Sequence, residues 1–376
     1  MEIPFNKPYI TGQEIENIAR VIELKKLAGD GEYTASVQKY MEDKYGFKKT
    51  LLTTSCTDAL EMCALLANID SQSEIIMPSY TFVSTANAFA LRGAKIVFAD
   101  SERITPNIDV NKIEELITEK TRVIVAMHYA GASCDMDKIN SLSEKYNLIV
   151  IEDAAQAIDS YYKNQPLGTI GALSTFSFHE TKNLTSGEGG LLAINRPEYI
   201  MRAEIIREKG TNRSQFFRGE IDKYGWVDIG SSFLASELIA AFLMAQLNKK
   251  EDIQQKRRSL WNRYYNNLSN LGASNENLLP IIPEYATNNA HMFYLTCEDI
   301  EERTKLMKTL SSKGIKSTFH YLSLHKSNYY KDKHDGRELS QADKWADCLV
   351  RLPMFTDLTY DEVDYISENI LNFYNA

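Results

Sequence analysis

From about residue 49, short apolar runs alternate with stretches in which apolar and polar positions have helical spacing. Continuous apolar runs between helices are typical of parallel strands that are covered on both faces. The predicted strands are residues 50–54, 74–78, 95–100, 122–128, 147–153, 173–178 and 190–194. The pattern therefore predicts an α/β fold with a mostly parallel sheet.

The predicted helices lie between these runs and continue after them. They are residues 58–67, 84–91, 110–118, 136–146, 197–209 and 232–259, the last being one long helix or two joined ones. A second alternating region follows, with a strand at 292–296, a helix at 303–313 and a strand at 317–320. We therefore expect a large domain over residues 1–250 and a smaller one over residues 251–376.

Composition narrows the class of protein. Hydrophobic residues make up 44% of the 376 residues and charged residues 25%, as in ordinary soluble globular proteins. The formal net charge of -9 argues against broad nucleic-acid binding. It does not exclude an anionic substrate, because a local basic pocket can exist on an acidic protein.

Cysteine usage and the N-terminal sequence bear on the compartment. The five cysteines are scattered without a CxxC pair, which favours free thiols in a reducing cytosol. Residues 1–6 lack the basic and apolar regions of a signal peptide, and residues 233–247 are too few and too polar to cross a bilayer. We expect a cytoplasmic protein with no metal site, membrane partner or nucleic-acid partner.

Two residues near the ends of predicted strands carry the candidate chemistry. Asp153 closes the strand 147–153, and Lys182 follows the strand 173–178. A lysine amine can bond the aldehyde of pyridoxal phosphate, and a carboxylate keeps the pyridine nitrogen protonated so that the ring draws electrons from the substrate. Because the carboxyl ends of strands in such a sheet gather the ligand, we expect both residues at one site.

The phosphate and the ring of such a cofactor need further contacts. In residues 54–60 a strand ends, small hydroxyl residues such as Ser55 turn, and a helix begins, which suits a phosphate as well as an ordinary N-cap. Ser177 could add a hydroxyl. Phe82 could stack on the ring and Gln156 could donate to its phenolate oxygen, the structural alternatives being a core phenylalanine and a solvated amide.

Several sequence blocks in order resemble the signature blocks of the DegT/DnrJ/EryC1/StrS family of sugar aminotransferases. The matching blocks are residues 3–6, 78–82, 152–156, 177–182, 187–190, 314–315, 320–321 and 325. Residues 206–219, with 222–224 and 228–232 after them, most resemble the branch of this family that makes dTDP-4-amino-4,6-dideoxygalactose.

The resemblance implies a fold-type I pyridoxal phosphate-dependent transferase, with helices on both faces of the central sheet and a smaller C-terminal α/β domain. It implies a homodimer whose active site lies at the subunit interface. It places the bond to the cofactor on Lys182 and the pyridine-nitrogen contact on Asp153. The other implied cofactor contacts are Cys56, Thr57 and Ser177 for the phosphate, Phe82 for the ring face and Gln156 for the phenolate.

The chain also departs from the family pattern. Many members have Asn-Gly-Thr where this chain has Ser55-Cys56-Thr57, and many have an asparagine, donated across the dimer to the phosphate, where this chain has Ser232. Both departures concern contacts to the phosphate group.

The implied reaction moves an amino group from L-glutamate, through the pyridoxamine 5'-phosphate form of the cofactor, to C4 of dTDP-4-dehydro-6-deoxy-D-glucose. The product would be dTDP-4-amino-4,6-dideoxy-D-galactose, with Lys182 moving the proton as general base and acid. Cations should meet the diphosphate of the dTDP-sugar, and Lys209, Arg213 and Arg218 are the candidates. Tyr321 could reach the sugar ring.

Other functions stay open at this point. The enzyme could make the C4 epimer, dTDP-4-amino-4,6-dideoxy-D-glucose, or aminate C3 of a sugar. A related class that dehydrates sugars with the same cofactor has a histidine in place of the lysine, which Lys182 argues against. A non-catalytic binding module would be expected to lose Lys182 or Asp153.

Overall fold

The computed structural model describes residues 2–274 and 278–375. Strands alternate with helices along the first half of the chain and return near its end. The described strands are β1 (Lys49–Thr53), β2 (Glu74–Pro78), β3 (Lys95–Ala99), β4 (Thr121–Met127), β5 (Ile149–Asp153), β6 (Tyr161–Tyr162), β7 (Gln165–Pro166), β8 (Leu173–Ser177), β9 (Gly190–Ile194), β10 (Tyr294–Thr296) and β11 (Leu349–Arg351).

The helices cover both the N-terminal segment and the C-terminal part. The described α-helices are α1 (Glu14–Glu23), α2 (Glu32–Tyr45), α3 (Cys56–Leu66), α4 (Val83–Ala90), α5 (Met136–Tyr146), α6 (Ile200–Arg207), α7 (Arg213–Phe217), α8 (Glu237–Asn248), α9 (Lys250–Ser274), α10 (Ile300–Ser312), α11 (Ser340–Cys348) and α12 (Tyr360–Tyr374). None of the helices in the described ranges has the length and apolar character that crossing a bilayer requires.

The large sheet has the strand order β1-β9-β8-β5-β4-β2-β3. Its neighbours from β8 to β3 pair in parallel, whereas β9 runs antiparallel to both β8 and β1. The predicted α/β fold with a mostly parallel sheet is therefore confirmed. The carboxyl ends of β2, β4, β5 and β8 lie at one edge, where the following loops meet.

Successive side chains of each strand pack on opposite faces of the sheet. Ile75 packs in the cluster formed with α3 and α4, whereas Ile76 packs in the cluster formed with α2, α5 and α8. Leu51 and Leu52 divide in the same way. Burying each such side chain stabilises the fold by roughly 1.5–3 kcal/mol before entropy is counted. Helices thus cover both faces, as predicted.

The C-terminal part has its own core, and the start of the chain joins it. This core contains residues of α9, α10, α12, β10 and β11 together with Ile3. The Ile3 amide donates to the Gly314 carbonyl at 2.8 Å, and the Lys316 amide donates to the Ile3 carbonyl at 3.0 Å. The first residues therefore pack on the C-terminal part rather than on the large sheet.

Two predicted elements take another form. Residues 110–118 form two 3₁₀ turns, Val110–Lys112 and Glu114–Leu116, instead of an α-helix. The Asp109 carboxylate accepts from the Asn111 amide at 3.0 Å, a local bond that competes with helix formation. Residues 317–320 form only an isolated bridge, between Thr318 and Arg351, instead of a strand. The predicted helix over 232–259 is two joined helices, α8 and α9.

Candidate active site

A cavity of about 620 Å³ lies at the edge of the sheet where the parallel strands end, and C-terminal residues form its far wall. Most of the predicted site residues line it. They are Ser55, Cys56, Thr57, Phe82, Asp153, Gln156, Ser177, Lys182 and Tyr321. The fold therefore brings together side chains that are up to 266 positions apart in the sequence, from Ser55 to Tyr321.

The hairpin between β8 and β9 holds Lys182. The Lys182 amide donates to the His179 carbonyl at 2.9 Å, and the Glu180 amide donates to the Gly187 carbonyl at 2.9 Å. Gly187 has a φ of 80°, a left-handed conformation that glycine adopts without strain. The glycines after the lysine thus let the chain turn back into β9.

The residue after the lysine anchors the hairpin to the core. The buried Asn183 side chain donates to Gln254 Oε1 at 2.9 Å and to the Asn289 carbonyl at 2.8 Å. Its own amide oxygen lies 2.9 Å from His291 Nδ1. These contacts limit the positions that the neighbouring Lys182 can occupy.

The charge on Lys182 depends on its surroundings. Burial lowers the pKa of the Lys182 amine, although the nearby Asp153 carboxylate opposes that shift. Burial raises the pKa of the Cys56 thiol to about 12, so this thiol stays neutral at ordinary pH. A lysine with a lowered pKa is a better nucleophile toward an aldehyde, because more of it is unprotonated.

Asp153 ends β5 and is held by two donors. Thr85 Oγ1 donates to Asp153 Oδ2 at 2.7 Å, and the Ala155 amide donates to Oδ1 at 3.2 Å. Thr85 in turn contacts Thr81 through their hydroxyls at 2.8 Å. Only 5% of Asp153 is exposed, yet it lines the cavity. A carboxylate held in this way can still accept a hydrogen bond from a protonated ring nitrogen.

The first turn of α3 and its N-cap also line the cavity, through Ser55, Cys56 and Thr57. Ser55 caps the helix by accepting from the Asp58 amide at 3.0 Å. The amides of Cys56 and Thr57 have no carbonyl partner inside the helix because they lie in its first turn. A Cβ on Gly190 would lie 2.2 Å from the Ser55 carbonyl carbon, so only glycine lets β9 approach this closely.

Hydroxyl groups surround those amides. Thr57 and Ser84 share a hydrogen bond between their hydroxyls at 2.8 Å, and Ser177 also lines the cavity. Backbone amides at a helix N-terminus together with hydroxyls suit a phosphate dianion. Amides, a lysine and a carboxylate around one cavity fit pyridoxal phosphate.

Aromatic side chains form the walls. Phe82 is 54% exposed, and its ring lies 6.0 Å from that of Tyr321. Gln156 Nε2 donates to the Tyr321 hydroxyl at 2.6 Å, while Gln156 Oε1 accepts from the Ala130 amide at 2.6 Å. The Tyr321 hydroxyl therefore accepts from Gln156 and keeps its own proton free to donate to a ligand.

Four of the predicted site residues do not line this cavity. Ser232 forms an isolated bridge with Glu208, and Lys209 Nζ lies 3.4 Å from Glu208 Oε2. Arg213 and Arg218 line a second cavity of about 460 Å³. Arg218 there pairs with Glu204 at 2.8 Å and with Glu220 at 2.6 Å.

The structure adds residues that sequence reasoning missed. Thr85, His320 and Arg351 line the cavity, as does Phe5 from the start of the chain. The sequence signal that could have identified Arg351 is a charged side chain inside the apolar run of residues 349–354. In the described part of the chain, no group of three or more His, Cys, Asp or Glu side chains is placed to hold a metal ion.

Comparison with known proteins agrees with this geometry. The family model described as "DegT/DnrJ/EryC1/StrS aminotransferase family" matches residues 8–371. A relative from Methanocaldococcus jannaschii, the uncharacterized protein MJ1066, is 30% identical over 374 residues, with 96% of this chain and 95% of the relative covered.

Solved structures share the fold along the whole chain. The PMP form of Spr1654 from Streptococcus pneumoniae, assigned as a sugar aminotransferase, has a TM-score of 0.90 and 25% identity, covering 100% of this chain and 99% of that one. A PLP form of the same protein is also known. Helicobacter pylori PseC, an aminotransferase of pseudoaminic acid biosynthesis, has a TM-score of 0.89 and 24% identity, covering 100% of both chains.

Proposed function

Because this chain belongs to the DegT/DnrJ/EryC1/StrS aminotransferase family, we propose that it aminates C4 of a nucleotide-linked keto-sugar with L-glutamate as the amino donor. The proposed substrate is dTDP-4-dehydro-6-deoxy-D-glucose and the proposed product is dTDP-4-amino-4,6-dideoxy-D-galactose. The segment 206–219 supports this choice through the resemblance described above. The chain is a sugar aminotransferase, and its cofactor is pyridoxal 5'-phosphate.

One observation carries the proposed chemistry. Lys182, Asp153 and the first turn of α3 line the same cavity. When bound, the cofactor carries the amino group between the substrates and withdraws electrons from the reacting carbon. An amine, a carboxylate and free helix amides are the groups that would hold its aldehyde, its ring nitrogen and its phosphate.

Lys182 Nζ would act twice. It would bond the cofactor while no substrate is present, and once displaced it would take a proton from the substrate carbon and return one at the neighbouring position. The lowered pKa of Lys182 favours the neutral amine that both roles need. Asp153 would keep the ring nitrogen protonated through a charge-assisted hydrogen bond, with Thr85 and the Ala155 amide orienting it.

The walls would select and orient the sugar. Phe82 would lie against the cofactor ring, and the Gln156 amide would lie near the phenolate oxygen. Tyr321 would donate its hydroxyl proton to an oxygen of the sugar, since Gln156 already occupies its acceptor side. These contacts position the keto carbon beside Lys182 and limit the access of water.

We further propose that the working form is a homodimer with a shared site. Residues 210–229 carry exposed apolar side chains, among them Phe217 and the 85% exposed Trp226. Arg213 and Arg218 lie in the same segment, outside this chain's own cavity. Contributed to a partner's cavity, these cations would meet the diphosphate of the dTDP-sugar.

Two measurements test the proposed function. The purified holoenzyme should absorb visible light, and adding L-glutamate should bleach that absorbance; no bleaching would favour a binding module. NMR of the product from dTDP-4-dehydro-6-deoxy-D-glucose should then show an axial C4 amine. An equatorial amine would assign the C4 epimer instead. An aminated C3 or a dehydrated sugar would refute the C4 assignment altogether.

A further inference from the structure

Arg351 is a cavity-lining cation that the mechanism above does not use. It ends β11, and its Nε and Nη2 donate to the Phe319 carbonyl at 3.3 and 3.1 Å. Its guanidinium carbon lies 4.8 Å from the centre of the Phe5 ring. These contacts fix the guanidinium from two sides while it remains part of the cavity wall.

The partners of Arg351 differ from those of the arginines that stabilise the fold. Arg202 pairs with Asp228 at 2.7 Å, and Arg207 pairs with Asp30 at 2.6 Å. The hydrogen bonds of Arg351 go to a carbonyl oxygen, which does not neutralise its charge. Burial lowers the pKa of Arg351, but a guanidinium stays protonated at ordinary pH. A partly buried cation on a cavity wall is therefore available to a bound anion.

The position of Arg351 relative to Lys182 limits which anion it can meet. Arg351 and Lys182 line the same cavity, and the Phe319 carbonyl that Arg351 holds lies two residues before Tyr321. The Tyr321 hydroxyl accepts from Gln156, three residues after Asp153, so Arg351 lies on the same side of the cavity as the groups proposed to hold the cofactor ring. In an amino acid, the carboxylate is bonded directly to the carbon that must react beside the lysine. In the proposed keto-sugar, the neighbours of the reacting C4 carry a hydroxyl at C3 and a methyl group at C5, and the diphosphate on C1 is several bonds away.

We propose that Arg351 binds the carboxylate on the reacting carbon of the amino donor, and the same carboxylate of the 2-oxo acid that leaves. The guanidinium offers two parallel N–H groups, the geometry that a carboxylate accepts. This inference rests on the proposed function, because it requires an amino acid donor. It makes Arg351 a specificity residue for one of the two substrates.

The two half-reactions can be measured separately by stopped-flow absorbance of the holoenzyme. L-glutamate converts the lysine-bound cofactor to its aminated form, which bleaches the visible absorbance. The keto-sugar converts the aminated form back, which restores that absorbance. The variants are Arg351→Gln, which removes the charge, and Arg351→Lys, which keeps the charge but lacks the two parallel N–H groups. Arg303→Gln is the matched control, because Arg303 donates to the Ala346 carbonyl at 2.7 Å and lies 5.9 Å from the Phe319 ring without lining the cavity.

With Arg351→Gln, the half-saturating concentrations of L-glutamate and of 2-oxoglutarate should both rise, by roughly 10- to 100-fold. That of the keto-sugar should change by less than about threefold. Arg351→Lys should lie between Arg351→Gln and the unaltered enzyme, and Arg303→Gln should match the unaltered enzyme.

Three results would overturn the proposal. They are an unchanged response to L-glutamate, a loss confined to the keto-sugar, and equal losses for both substrates, which would indicate a structural role. If Arg351→Gln does not fold, Arg351→Lys decides by the same comparison. Failure of the unaltered holoenzyme to bleach with L-glutamate would instead refute the proposed function, so the two failures are distinguishable.

Discussion

Thr85 donates a hydrogen bond from Oγ1 to Oδ2 of Asp153 at 2.7 Å, and both residues line the cavity. We expect Thr85→Val to lower the transamination rate roughly 10-fold, because a hydrogen bond to a charged group contributes about 1.5–3 kcal/mol. The loss should be smaller than that of Asp153→Asn, which removes the charge itself. Steady-state kinetics of the three proteins checks this order.

Thr85→Ser is the matched control for that experiment. It keeps the hydroxyl that donates to Asp153, so its rate should stay close to that of the unaltered enzyme. Equal rates for Thr85→Val and Thr85→Ser would show that the hydroxyl does not orient the carboxylate.

Replacing Lys182 removes the proposed covalent contact. Lys182→Ala and Lys182→Arg should both abolish transamination and the visible absorbance of the holoenzyme, since neither side chain supplies a neutral amine. The folded state should persist, as shown by circular dichroism, because Asn183 rather than Lys182 anchors the hairpin to Gln254. Retained absorbance in either variant would place the covalent contact elsewhere.

The lowered pKa of Lys182 predicts a pH dependence for loading the cofactor. A protonated amine cannot attack an aldehyde, so the loading rate of the apoenzyme should rise with pH as Lys182 loses its proton. Because burial lowers the pKa, the midpoint should lie below the value of about 10.4 for an ordinary lysine.

Stopped-flow mixing of apoenzyme and pyridoxal phosphate between pH 7 and 10 measures this dependence. The control is Nα-acetyl-lysine, which keeps a free side-chain amine, and the rate of its reaction should keep rising up to about pH 10.4. The Cys56 thiol should not interfere, since burial raises its pKa to about 12. A midpoint equal to that of the control would contradict the effect of burial.

Replacing Gly190 tests the close packing of β9 against the first turn of α3, where the cofactor phosphate would bind. A methyl group at this position would lie 2.3 Å from the Cys56 amide nitrogen and displace the first turn of α3. We expect Gly190→Ala to raise the dissociation constant of the cofactor at least roughly 10-fold and to lower the thermal midpoint. Fluorescence titration and thermal melting measure the two effects.

Gly46→Ala is the matched comparison, because a Cβ there would meet no atom within 4 Å and its cost is backbone strain at the end of α2, where φ is 84°. Its cofactor affinity should equal that of the unaltered protein. Tight cofactor binding by Gly190→Ala would mean that the α3 terminus is not a phosphate contact.

The proposed shared site predicts complementation between an inactive subunit and an impaired one. Arg218→Ala should weaken the use of the dTDP-sugar, and Lys182→Ala should be inactive. Co-expressed with two different tags, the mixed dimer should recover one working cavity, which combines Lys182 of one subunit with Arg218 of the other. Its activity should approach about half that of the unaltered dimer. No recovery in the isolated mixed dimer would exclude a role for Arg218 across the interface.

The central sheet was predictable because its strands are buried on both faces. The bounds of β2, β9 and α5 agree with the sequence pattern, since continuous apolar runs and a clear helical period mark them. Helices α1 and α2 have no sequence-based prediction, because they precede the alternating region. The helix expected over 110–118 is wrong, since local Asx bonding outweighs a weak periodicity.

The site likewise contains residues that the sequence pattern could predict and residues that it could not. Asp153 ends β5, Ser55 follows β1 and Lys182 lies in the loop after β8, so the meeting of strand ends at one edge of the sheet places them together. Thr85 and Arg351 enter the cavity through packing between segments distant in the sequence, which a strand-by-strand interpretation does not capture. Lys209, Arg213 and Arg218 do not line the cavity of this chain, so their proposed roles across a dimer interface stay predictions.

The pairing of Ile3 with Ile315 also has a consequence for synthesis on the ribosome. Ile3 cannot form this bridge until Ile315, more than three hundred residues later in the sequence, has left the ribosome. Phe5 likewise cannot contact Arg351, with which it lines the cavity, until residue 351 has been synthesised. The strands of the large sheet, which end at residue 194, therefore emerge well before Phe5 and Arg351 can complete their part of the cavity wall.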